Sequence, residues 1–194
     1  MHDPARGFDQ FRQCLPRLLE MRPNCLVVLA WLDIAQTGQK NGSSPAPAEC
    51  TDTGKAMRRA VDILGIDQSF RSRVHLLGAR SLKEYRAMLQ HSTAHVYLAA
   101  PHVFSTGLLE AMACGVPTVA ARVGAYETLI RDGETGSLVP RDDVDALTAA
   151  LASWLDDDSA RAAAGRAARA HVEANHAIEC EARAITEVYR KLLA

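Results

Sequence analysis

Residues 104–140 read FSTGLLEAMACGVPTVAARVGAYETLIRDGETGSLVP. The segment opens a helix at Ser105 and Thr106 and stops it at Gly115. It then passes through Val-Pro into the short apolar strand VPTVAA. AYETLIRDG follows as a short helix closed by Gly133, and GSLVP as another strand, with Gly133 and Gly136 expected at positive backbone angles in the RDGETG turn. Helices alternate with apolar strands, and each connection is long enough for a crossover, the pattern of a parallel sheet. Within it one carboxylate, Glu110, falls in the turn after the helix start, among small and apolar neighbours.

The same alternation extends in both directions. Upstream, GFDQFRQCLPRLLEMRPN carries a helical apolar stripe at Phe8, Phe11, Leu15, Leu18 and Leu19 despite Pro16. CLVVLAWL suits a strand covered on both faces. TGQKNGSSPAPAECTDT, residues 37–53, has loop composition. GKAMRRAVDILG reads as a helix, RVHLLG as a strand, SLKEYRAMLQHS as a helix with a Ser81/Glu84 capping box, and AHVYLAA as a strand. Downstream of Asp142 the chain is helical throughout. The expectation is one domain over 1–194: a Rossmann-like, doubly wound parallel α/β sheet over about 6–141 and a helical region over about 142–194.

Composition narrows the class. With 48% hydrophobic and 23% charged residues, the chain has ordinary globular make-up. A net charge of −1 gives no field that would draw in nucleic acid or anionic lipid. No apolar run approaches the roughly 20 residues of a membrane span, and MHDPARGFDQF lacks the blocks of a secretory signal. Five cysteines, with no CxxC pair, fit reduced thiols and a cytoplasmic location.

Ligands of parallel sheets bind beyond the carboxyl ends of the strands, where the loop leading into Ser105 lies. The first N–H groups of a helix have no intrahelical acceptor, and the helix dipole makes that end positive. Gly107 permits close approach of a ligand, and the Ser105 and Thr106 hydroxyls add donors, which together suit a phosphate. Glu110 would repel a phosphate but can accept two ribose hydroxyls. Diphosphate at the helix tip and ribose at the carboxylate describe a nucleoside diphosphate. A Ser/Thr cap followed by Glu also occurs for structural reasons alone.

The run FSTGLLEAMACGVPTVAARVGAYETLIRDGETGSLV resembles the donor-nucleotide segment of retaining GT-B glycosyltransferases of family 4. In that family two Glu, separated by seven residues, precede AMACG-P-V and a G…E-I-DG-TG-LV run. RVHLLGARSLKEYRAMLQHSTAHVYLAA and RGFDQFRQCLPRLLEMRPNCLVVLA extend the likeness over nearly the whole chain. The resemblance implies that Glu110 holds the ribose hydroxyls. It implies that the segment from Phe104 through Ser105, Thr106 and Gly107 to Leu108 meets the diphosphate and sugar. By the same likeness Gly78, Ala79 and Arg80 flank the base, and Arg6, in a basic-Gly pair, faces the phosphates. Where the family has its first Glu, this chain has His102. A branch with an apolar residue there and a similar HVYL…P lead-in is closer, and a protonated His102 can donate to a phosphate.

The implied function is donor binding in transfer of a sugar from a UDP- or GDP-linked nucleotide-sugar to an acceptor, with retention. No metal, no other cofactor and no catalytic residue are expected in this half. The likeness is to the C-terminal half only. An N-terminal acceptor domain is therefore expected to be missing here or supplied by another chain, and this truncated form to bind donor weakly and transfer nothing alone. Peripheral membrane association of a full-length form stays open. Two rival readings are a non-catalytic nucleotide- or partner-binding module and a GT-B-like nucleotide-sugar epimerase, the latter disfavoured by the EAMACG-P run.

Other residues have plainer readings. His91 and His95 share no helical face, so metal ligation is not expected. Cys114 reads as a packing residue, Asp156–Asp158 as a helix cap and Glu127 as a helix-dipole partner. Arg161, Arg166 and Arg169, interrupted by Gly165, read as a solvated face. The apolar face of AITEVYRKLLA is expected to be exposed.

Overall fold

The computed structural model describes residues 7–30, 67–77, 80–99 and 106–193. The expected loop at 37–53 and helix at 54–65 lie outside them. The order is α1 (Phe8–Met21), β1 (Val27–Ala30), a 3₁₀ turn (Gln68–Arg73), β2 (Val74–Leu77), α2 (Leu82–Gln90) and β3 (His95–Tyr97). Then follow α3 (Thr106–Ala113), β4 (Thr118–Ala121), α4 (Ala125–Leu129) and β5 (Gly136–Val139). Three helices complete the chain: α5 (Val144–Asp156), α6 (Asp158–Asn175) and α7 (Ile178–Leu193).

Every strand pairing is parallel. Val27 stands opposite Val74 in the β1–β2 ladder, and β4 lies between β3 and β5, with His95 opposite Thr118 and Thr118 opposite Gly136. All four residues of β4 are buried, as a strand covered on both faces requires. Instead of one continuous sheet, the described residues form two ladders, β1–β2 and β3–β4–β5. α1 packs against both. Leu15 and Leu19 sit with Val27 and Val74, while Cys14 and Leu18 sit with Leu98 and Val119. The helix runs through Pro16 because this packing outweighs the one backbone bond that proline removes.

Polar groups fix the joints. Buried Gln10 donates to the Asp143 and Pro140 carbonyls at 2.9 and 3.3 Å and accepts from the Asp142 N–H at 3.2 Å. That bond set ties the start of α1 to the β5–α5 turn, where Asp142 has φ of 64°. Arg73 donates to the Leu19, Arg22 and Pro23 carbonyls at 2.9, 3.0 and 2.9 Å, satisfying the end of α1. Trp154 Nε1 donates to Ser137 Oγ at 3.0 Å and so pins α5 to β5.

Three glycines mark close approaches. A Cβ on Gly165 would lie 2.1 Å from the Gly115 carbonyl oxygen, and one on Gly136 would lie 2.3 Å from that of Thr118. Gly136 is therefore a strand residue selected for proximity, not the positive-φ residue expected from the turn; Gly133, at φ 78°, does fill that role. Gly7, at φ 66°, would place a Cβ 2.3 Å from Leu98 Cβ.

The helical region departs partly from expectation. Asp157 caps α6 by accepting from the Ala160 N–H at 2.8 Å, while Asp156 pairs with Arg22. Arg166 and Arg169 are exposed, but the 161–169 segment is not merely a solvated face: Ala164, Gly165 and Ala168 are buried. On α7 no residue is buried; Ile185, Tyr189 and Leu192 are exposed as expected, and Ile178 is exposed as well.

His95 supplies a pH test. Its ring stacks on Tyr97, with Thr118 Oγ1 3.4 Å from Nδ1, and burial pushes its pKa down to about 4. The folded state thus binds the proton less readily than the unfolded chain. Stability is full above about pH 6.5 and falls as pH drops towards 4, by roughly 3 kcal/mol in total. Denaturant midpoints at several pH values, set beside those of His95→Gln, should show a shallower slope in the variant. Equal slopes would assign the pH dependence elsewhere.

Candidate functional site

α3 and α2 build the site that the described residues allow. α3 is oriented by its buried side: Leu108, Ala111 and Met112 are fully covered, with Leu108 and Met112 packed among Tyr126, Leu129 and Leu138. That leaves Thr106 and Glu110 exposed, four residues apart and so on neighbouring parts of one face. Gly115, at φ 76°, ends the helix, and the Gly115 and Val116 N–H groups bond the Met112 and Ala111 carbonyls at 2.9 and 3.1 Å. Met112 and Leu108 thereby anchor the helix.

α2 begins with the expected capping box. Ser81 N–H donates to Glu84 at 2.9 Å, and the Glu84 N–H donates to Ser81 Oγ at 3.4 Å. Donation from the Ser81 hydroxyl, 2.7 Å from the carboxylate, and then from the Ser81 N–H holds the Glu84 carboxyl below its usual range, and neighbouring Arg80, itself exposed, adds to the effect. The apolar spacing Leu82, Tyr85, Leu89 turns one stripe of α2 toward α3. Tyr85 and Cys114 pack against the buried Leu89–Ala111–Val116 cluster.

Between the two helices runs a groove of about 540 Å³ whose lining includes Leu82, Tyr85, Arg86, Leu89, Glu110 and Cys114. The Tyr85 ring and the Glu110 side chain border the same groove. Burial first, and the nearby carboxylate next, push the Tyr85 pKa up to about 12, so the phenol stays a donor at neutral pH. Burial likewise raises the Cys114 thiol, with Arg86 and Arg169 opposing. A protonated, packed thiol fits the reading of Cys114 as a packing residue.

Of the residues singled out in the sequence, Thr106, Gly107, Leu108 and Glu110 come together on α3, with Arg80 at the head of α2. The Leu108 side chain is core, so only its backbone is available to a ligand. Arg6, Gly78, Ala79, His102, Phe104 and Ser105 lie outside the described residues. Gly7, the neighbour of Arg6, packs on Leu98 at the carboxyl end of β3, which brings the start of α1 to the same sheet edge. Tyr85 was missed. Its position on the Leu82–Leu89 stripe was the available signal, and only the structure places that stripe beside Glu110.

Glu127 is exposed in the first turn of α4, as a dipole partner would be. His91 Nδ1 lies 2.7 Å from the Ala87 carbonyl, a local helix-end contact. Among the described residues no group of three or more His, Cys, Asp or Glu side chains is placed to hold a metal ion, and no helix is long and apolar enough to cross a membrane.

The profile of the family Glycosyl transferases group 1 matches residues 68–171, which includes both helices of the groove. The chain belongs to this family. Among related glycosyl transferases, it is 49% identical over 85 residues to the lipopolysaccharide core biosynthesis mannosyltransferase LpcC of Rhizobium leguminosarum bv. viciae, covering 44% of this chain and 24% of that protein. A longer match, 28% over 175 residues, is to the GDP-mannose-dependent alpha-(1-6)-phosphatidylinositol monomannoside mannosyltransferase of Mycolicibacterium smegmatis, covering 86% and 40%. The chain thus spans between a quarter and two-fifths of the length of these relatives. In structure it superposes with a TM-score of 0.69 on sucrose-phosphate synthase of Thermosynechococcus elongatus, at 25% identity, covering 98% of this chain and 43% of that one. These likenesses establish a glycosyl transferase group 1 chain with a parallel, Rossmann-like α/β fold.

Proposed function

We propose that these residues are the donor-nucleotide half of a retaining GT-B glycosyltransferase of family 4. The observation that carries the reading is Glu110, held exposed one turn past the start of α3 in a chain of the group 1 family. The α3 tip takes the diphosphate and stabilises the charge that builds on it as the sugar leaves. Glu110 accepts the ribose hydroxyls. Arg6 supplies a cation, and His102 and Phe104–Leu108 border the sugar. The base lies at Gly78, Ala79 and Arg80. No metal is required where helix dipole and arginine neutralise the diphosphate.

The names of the two relatives favour mannose as the sugar, and one favours GDP as the carrier. Residues outside these 194 supply the acceptor side, as the partial coverage of the relatives supports. The chain alone then binds donor without transferring sugar. His102, standing where the family has a Glu, favours one second reading: a nucleotide-binding module that has lost transfer.

Titrating the chain with UDP, GDP and ADP, followed residue by residue by heteronuclear NMR, tests the proposal. Saturable shifts should cluster at residues 78–81 and 104–110, strongest with GDP. A folded chain that shifts with none of the three would sink the donor reading.

A further inference from the structure

No residue of α7 is buried, yet the helix is sharply two-sided. Ile178, Ile185, Val188, Tyr189, Leu192 and Leu193 are each exposed over more than half of their surface. At 3.6 residues per turn these six side chains fall in one stripe about 140° wide, bounded on one edge by Glu181. Ile185 stands at the middle of the stripe, with Ile178 and Leu192 seven residues to either side. That spacing is the one by which a helix meets another helix along its length. A contiguous apolar face of this kind marks an interaction surface.

Charge selects the partner. Glu179 and Glu181 lie in the first turn of α7, and Arg190 and Lys191 in its last. Glu179 and Arg190 sit on the same flank of the stripe, at its opposite ends. When two α7 helices run antiparallel about a two-fold axis at Ile185, that flank meets its own copy. Glu179 of each chain then comes opposite Arg190 of the other, and Ile178 opposite Leu192. A parallel pair would instead set acid beside acid and base beside base. Glu187, 3.8 Å from both Arg190 and Lys191 in its own helix, lies on the side away from the stripe and leaves the seam clear.

We propose that α7 is a self-association surface, through which two copies of this chain pair antiparallel along the Ile178–Leu192 stripe with a Glu179–Arg190 pair at each end. The pairing is isologous, so it closes at the dimer. It stands apart from the donor reading and needs no nucleotide. A stripe about 24 Å long and about 10 Å wide is smaller than the roughly 800 Å² per partner of a permanent interface. The dimer is therefore reversible, with a Kd on the order of ten micromolar.

The test is sedimentation equilibrium of the full chain over about 1 to 300 µM, at low salt and with a reductant that keeps Cys180 from cross-linking. The wild type should pass from monomer to dimer. Ile185→Lys sets two like charges on the axis and should weaken pairing at least tenfold, roughly the loss of a central apolar contact. Because no residue of α7 is buried, the fold should survive, as circular dichroism checks. Glu179→Arg and Arg190→Glu should each weaken pairing about three- to tenfold. An equal mixture of these two variants restores opposite charges at both ends and should form a heterodimer tighter than either homodimer. A wild type that stays monomeric throughout overturns the proposal and assigns the stripe to another occupant. A dimer that persists in Ile185→Lys places the contact elsewhere, and a mixture no tighter than its components removes the antiparallel register; either result overturns it as well.

Discussion

Gly165→Ala is expected to destabilise the chain by about 2 kcal/mol, against the sign of helix propensity. In an open helix interior the same change would stabilise by about 1 kcal/mol. Here the new methyl would sit 2.1 Å from the Gly115 carbonyl oxygen, a backbone atom that cannot rotate away. Relief requires α6 to move off the end of α3, opening contacts that Ala164 and Ala168 make with the core. Overpacking of this kind costs about 1–3 kcal/mol before any loss of neighbouring contacts, and that outweighs the propensity gain. The check is the urea midpoint of Gly165→Ala beside that of Ala163→Gly, an exposed position on the same helix. Gly165→Ala should lower the midpoint more. A raised midpoint would mean that the Gly115–Gly165 approach is not tight in solution.

Gly7→Ala is expected to have a larger effect, about 3 kcal/mol, and to weaken nucleotide binding as well. Two costs add. At φ 66° a Cβ is strained in itself, by about 1–2 kcal/mol. It would also lie 2.3 Å from Leu98 Cβ and 2.5 Å from the Leu98 carbonyl oxygen. Truncating Leu98 cannot relieve the second contact, because the carbonyl remains. The helix start must then withdraw from the carboxyl end of β3, the sheet edge where the donor reading puts the nucleotide. Thermal unfolding measures the first effect and GDP titration the second. Wild-type values in both would remove the link between this glycine and the sheet edge.

Local chemistry that is written in neighbouring residues was legible in the sequence. The Ser81–Glu84 box, the stop at Gly115, the cap before α6 and the strand–helix alternation all follow from short-range preferences. The place of Glu110, exposed shortly after a helix start, was legible too. What the sequence did not disclose depends on which elements meet. Gly165 looked like a break in a solvated basic helix because its partner, Gly115, is fifty residues away. Gly136 looked like a turn residue because its reason is a carbonyl on the adjacent strand. Tyr85 looked like one more apolar position until α2 was set against α3.

The central claim is that Glu110 holds the ribose of a nucleoside diphosphate beside the α3 tip. The most direct test is the affinity of GDP and UDP for Glu110→Ala beside the wild-type chain, with both shown to be folded. The account predicts saturable wild-type binding that falls at least about tenfold in the variant, the loss expected when two hydroxyl bonds to a carboxylate go. Equal affinities would contradict it and return Glu110 to an ordinary exposed position on a helix.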